Sequence, residues 1–186
     1  GHFGGAVANP ANVLCQLLAR VVDADGRITV PHFYDDVEDL SDRERRMIAS
    51  IPFDEEAYKR AIGVEALFGE KGYRTLERNS CRPSFDICGI WAGYTGEGAK
   101  TVIPSKAYAK ISTRLVPHQK RDTITRLVSD WLVAQAPPTV KVKVTALHGG
   151  EGYVCPLDLP AYQAAEEAFA RAFGKQPLAV RRGGSI

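Results

Sequence analysis

The sequence predicts an α+β fold of two layers, with helices packed on one face of an antiparallel sheet and a piece of a second, α/β unit following it. Three observations carry this reading. An apolar stripe at helical spacing stands near the start, two strand-like stretches flank a glycine-rich turn, and a second helical stripe leads into a further alternating stretch.

Each element has a local cause. Gly1, His2, Phe3, Gly4 and Gly5 are too glycine-rich for a regular element and read as a tight connection. Asn9 and Pro10 start a helix, because Asn accepts from exposed backbone amides and proline at the first helical position has no amide to leave unpaired. Val13, Leu14, Leu17, Leu18, Val21 and Val22 form its buried stripe, and Asp25 and Gly26 turn the chain. Residues 28–82 are polar and interrupted and read as an insertion lying on the framework. Within it, Ser41 and Glu44 have capping-box spacing, and Asp54 can cap a helix that stops at Gly63.

Residues 84–94 read as a strand, followed by the turn Thr95, Gly96, Glu97, Gly98. Along 107–116 the chain alternates, with Ala109, Ile111, Thr113 and Leu115 on one face and Tyr108, Lys110, Ser112 and Arg114 on the other. A helix over 120–135 buries Ile124, Leu127, Val128, Trp131 and Leu132, and Pro137 and Pro138 stop it. Val140, Val142, Val144 and Ala146 alternate with Lys141, Lys143 and Thr145 as a half-exposed strand. Helix, strand, strand, helix, strand is most of a ferredoxin-like sandwich, whose first strand would precede Gly1. After His148 the character changes. Asp158 is placed to cap a helix turning Leu159, Tyr162, Phe169 and Phe173 inward, and Gly174 ends it.

Composition narrows the function. The 186 residues are 45% hydrophobic and 25% charged, which suits a globular chain able to bury a core. A net charge of +2 with scattered basic residues gives no ground for nucleic acid as a partner. No apolar run approaches the roughly 20 residues needed to cross a bilayer, and no signal-peptide pattern opens the sequence. Cys15, Cys81, Cys88 and Cys155 lack metal-type spacing and suit free, mostly buried thiols of a reducing cytoplasm, a disulfide between Cys81 and Cys88 being the alternative.

By residue type alone no complete catalytic constellation is present. His2, His32, His118 and His148 lie far apart without metal-site spacing, and the acidic run Asp35, Asp36, Glu38, Asp39 reads as a solvated loop. Gly183, Gly184 and Ser185 fit either a plain turn or backbone amides closing on an anion such as a carboxylate. Arg114, on the polar side of its strand, fits a solvated sheet face or a two-pronged carboxylate contact; residue type alone favours the solvated face.

Five stretches, GHFGGAVANPAN, GAKTVIPSKAYAKISTRLVP, the helix to Trp131, LHGG and RRGGSI, together resemble the carnosinase-type zinc metallopeptidases, relatives of carboxypeptidase G and succinyl-diaminopimelate desuccinylase. The resemblance implies a lid and dimerisation domain over residues 1–147, carrying the 28–82 insertion, and a fragment of the returning catalytic domain over 148–186. It implies a homodimer acting on small peptides, with two zinc ions in the intact enzyme and none expected in this segment, which carries no catalytic residue of its own. It further implies that Thr101 is offered across the dimer to the partner's site, that Arg114 and His148 help bind the substrate's C-terminal carboxylate, and that Ser185 contributes from the returning domain.

Two departures stand out. The family motif reads His-Ser-Gly-x-Phe-Gly-Gly, so its oxyanion-stabilising His would lie just before Gly1, and His2 holds the variable position. Arg182 stands where relatives often carry Glu. The expected function is the lid and dimer segment of a zinc-dependent dipeptidase. The alternatives are the same segment of an N-acyl or N-carbamoyl amino acid amidohydrolase, and a stand-alone ferredoxin-like binding module.

Overall fold

A computed structural model describes residues 2–184. Helix α1 (Pro10–Ala19) opens as its sequence dictates, the Asn9 side chain accepting from the Ala11 amide at 2.9 Å with Pro10 in the first turn. It ends sooner than its apolar stripe. Arg20 caps it, and Val21, fully buried, and Val22, bridged to Ile28, belong to the turn that follows.

Three short helices come next: α2 (Asp42–Ser50), α3 (Glu55–Ile62) and α4 (Thr75–Cys81). The Ser41–Glu44 capping box starts α2, and Asp54 caps α3, which stops at Gly63 in the left-handed conformation. Helix α4 carries no Ser, Thr, Asn or Asp at its N-cap; instead the Arg74 amide donates to the Glu77 carboxylate at 2.7 Å, a start that the sequence reading passed over. The 28–82 stretch is anchored deeply. Ile28, Val30 and Phe33 join the main core, and Gln119, 1% exposed, donates to the Phe33 carbonyl while accepting from the Val116 amide.

The sheet is an antiparallel pair, β1 (Ser84–Ala92) with β2 (Ala107–Arg114). Asp86 faces Ser112 and Ile87 faces Ile111, after which Gly89 faces Lys110; Cys88 is the extra residue of a bulge. The bulge keeps Asp86, Gly89 and Trp91 opposite Ser112, Lys110 and Tyr108, so the polar face of β2 meets the same face of β1 on both sides of it. Helix α5 (Arg121–Ala134) buries Ile124, Val128 and Leu132 in one cluster with Leu18 and Val21, packed against Phe85, Ala109 and Ile111 of the sheet. Burying such a set is the main favourable contribution to this layer, about 1.5–3 kcal/mol per large side chain.

Four expectations need correction. Residues 140–146 form no strand: the sheet has two strands, and among the described residues the only backbone bond made by an amide of this stretch is from Val140 to the Pro137 carbonyl. Alternation supplies a face, but a strand also needs an edge to pair with. Helix α6 (Pro160–Phe173) is preceded by Leu159 rather than capped by Asp158, because Pro160 takes the first helical position. Its apolar side chains do not turn inward either. Leu159, Phe169 and Phe173 are exposed, the two phenylalanines stacking on each other at 5.8 Å. Of the four free cysteines only Cys81 is buried; Cys15, Cys88 and Cys155 are exposed.

Candidate functional site

A trough of about 2580 Å³ runs between β2 and the extended stretch from Thr139 onward. Its floor includes Leu14, Leu18, Ile124 and Val128, the stripes of α1 and α5. Its flanks are the edge of β2, which among the described residues pairs only with β1, and residues 141–147. At one end the trough meets a smaller cleft of about 510 Å³, and Arg114, Arg181, Arg182, Gly183 and Gly184 line both.

Arg114 reaches this junction because it is the last residue of β2 and alternation turns it outward, opposite Ser84. Among the described residues no carboxylate lies within 4 Å of its guanidinium, and the same holds for Arg182. The tail returns here by close backbone approach. A Cβ on Gly183 would collide with the Asn79 carbonyl oxygen of α4 and would lie 3.4 Å from Cδ of Arg114. Only glycine fits such a crossing.

Just before it, Arg181 is paired with Oε1 of Glu44. Glu44 spends its other oxygen, Oε2, on the amide and hydroxyl of Ser41 at 2.9 and 2.8 Å. Burial pushes the Glu44 carboxyl up, but the Ser41 bonds and the Arg181 guanidinium outweigh it and hold the group below its ordinary value.

Of the residues singled out from sequence, Arg114 and His148 line the same trough. Ser185 lies outside the described residues, directly after Gly184. Thr101 is exposed in the loop joining β1 to β2 and lines neither the trough nor the cleft. Sequence reasoning missed Glu44 as part of this surroundings. It is legible as a capping residue, but nothing local signals a partner 137 positions away. Chemically, the junction offers two guanidinium groups without carboxylate partners among the described residues, beside a glycine backbone, an arrangement suited to a carboxylate. Among the described residues no three His, Cys, Asp or Glu side chains converge to hold a metal ion. No helix among them is long and apolar enough to cross a membrane.

Residues 1–140 match the model of the M20 peptidase dimerisation domain. The whole chain aligns at 31% identity with 40% of the Cys-Gly metallodipeptidase dug1 of Schizosaccharomyces pombe, and at 32% with 37% of the human Beta-Ala-His dipeptidase. Among solved structures, the M20 family metallo-carboxypeptidase Sso-CP2 from Sulfolobus solfataricus superposes with a TM-score of 0.83 at 28% identity, over 99% of this chain and 42% of that one. The chain thus spans about 40% of the length of the curated relatives it matches.

Proposed function

The chain belongs to the M20 peptidase dimerisation domain family, and on that premise we propose that the protein containing it is a zinc-dependent dipeptidase in which this segment makes the dimer contact and grips the substrate's C-terminal carboxylate. The observation that carries the reading is Arg114. It is an outward guanidinium with no carboxylate within 4 Å among the described residues, set against the glycine tail at the end of an open trough.

In this scheme Arg114 forks onto the substrate carboxylate, and the backbone at Gly183 and Gly184, with Ser185 after them, closes on the same group. His148 lies along the trough to meet the peptide. Thr101, placed away from this trough, serves the partner's site. The metal, two zinc ions in this reading, is held by residues outside this segment; when bound it polarises the scissile carbonyl and activates water.

We also read the framework as ferredoxin-like. Its support is the trough, flanked by a free β2 edge and an unpaired extended stretch over an apolar floor, the surroundings of a strand contributed from outside residues 2–184. The division near residue 147 rests on the change from sheet framework to an exposed connection and α6. Free thiols, three of them exposed, favour a reducing, cytoplasmic setting.

The test is Arg114→Ala in the intact protein. KM for dipeptides should rise about 10- to 100-fold with a much smaller change in kcat, as for loss of a charge-assisted bond of about 1.5–3 kcal/mol made to substrate and transition state alike. Dipeptide amides, which lack the carboxylate, should show little difference between the two proteins. An unchanged KM contradicts the grip, and activity confined to acyl or carbamoyl amino acids contradicts the dipeptidase reading.

A further inference from the structure

The 28–82 stretch contributes nothing to the chemistry proposed above, yet it makes the contacts that hold the tail at the site. Arg181 immediately precedes the Arg182–Gly183–Gly184 run. Its guanidinium, about three-quarters buried, pairs with Glu44 of α2, and the backbone two residues on crosses the Asn79 carbonyl of α4 at a distance only glycine allows. Val180, Arg181 and Gly183 then share one cleft with Ile48 and Ile51 from the α2 end, Asn79 and Ser80 from α4, and Arg114 from β2. Two separate contacts, one ionic and one of backbone against backbone, therefore join the same short tail to the inserted helices.

We propose that the Glu44–Arg181 ion pair is a positioning latch, by which the inserted helices α2 and α4 hold the tail against Arg114 and so shape the carboxylate end of the substrate site. This rests on the reading of Arg114 and the tail as that end. Glu44 suits the task because its two oxygens are divided. Oε2 is fixed by Ser41 and is part of the start of α2, which leaves Oε1 aimed at Arg181 without freedom to wander. An anchor held on one side loses little further entropy when it takes a partner on the other.

The division also gives a clean test. Glu44→Gln keeps the capping box, since Gln serves at that helical position as Glu does, but removes the charge that Arg181 meets. Arg181→Gln removes the partner without touching α2. In the intact protein, either change should speed tryptic cleavage after Arg182 and raise the dipeptide KM roughly tenfold while leaving kcat nearly unchanged, as expected when a binding group is displaced rather than lost. The double variant should be no worse than either single one, because the two act through one contact.

Unchanged cleavage in both single variants overturns the latch. Faster cleavage with an unchanged KM, while Arg114→Ala does raise KM, overturns its positioning role and leaves the substrate site standing. If Arg114→Ala leaves KM unchanged as well, the substrate site itself is refuted, and the positioning role with it. Strictly additive effects in the double variant show that Glu44 and Arg181 act separately and likewise overturn the latch.

Discussion

Glu70 and Arg82 are 8% and 5% exposed, and their burial is tolerated because the two charges are paired with each other. The Arg82 guanidinium donates to both Glu70 oxygens at 2.7 and 2.8 Å and lies over the Tyr73 ring at 4.3 Å, while Arg27 adds a third bond to Glu70 at 3.2 Å. Glu70→Ala strands a buried cation and should cost about 3–5 kcal/mol in denaturant unfolding. Glu70→Leu with Arg82→Met should recover most of that loss; a double variant as unstable as the single one would contradict the charge explanation. Glu44 yields a pH prediction. Its folded value lies below its unfolded one, so its contribution is present at neutral pH, above the unfolded value, and is lost as pH falls through the depressed folded value. Glu44→Gln should therefore flatten the acid limb of the stability profile below about pH 4.3, the ordinary Glu value, and leave the alkaline limb unaltered. At this scale the outward orientation of Arg114 was legible from strand alternation, while the role given to it rests on the family resemblance. The Glu44–Arg181 contact was not, because local sequence carries no trace of a partner so distant along the chain.

Elements whose cause lies within a few residues could be read directly. Asn9 with Pro10, Ser41 with Glu44, and Asp54 with Gly63 each fix a helix end by bonds the segment makes with itself. Elements that need a distant neighbour could not. The valines of 140–146 alternate as a strand should, but the stretch has no ladder partner among the described residues, and α6 has the apolar stripe of a packed helix with nothing described to pack on. Glycines sort the same way. Gly26 has φ +76° and a Cβ there would lie 2.7 Å from the Gly69 carbonyl oxygen, whereas Gly63 has φ +74° with open space around it. Gly63→Ala should cost about 1 kcal/mol, the left-handed penalty alone. Gly26→Ala should cost clearly more, since the turn must also move off the Gly69 backbone. Equal shifts in the denaturant midpoint would show that the close approach is unimportant.

For the molecule as a whole, the sequence conveyed the α+β layering and the family. Both rest on patterns spread over most of the chain, and the family model covers 140 of its residues. The pairing of the sheet was less legible: alternation marks residues 140–146 as a strand, yet among the described residues β2 pairs with β1 alone. In the function proposed above, the segment joins two subunits and serves two sites, a demand that a self-contained module does not make. Thr101 and Arg114 lie apart, Thr101 outside the trough that Arg114 lines, which fits Thr101 serving the partner's site and Arg114 its own. The decisive measurement is the dipeptidase activity, at dipeptide concentrations well below KM, of heterodimers isolated after co-expressing the Thr101→Ala and Arg114→Ala proteins. One site of each heterodimer then keeps both residues, and activity should return to about half that of the unaltered dimer. A heterodimer no more active than either parent would contradict the division of each site between two subunits.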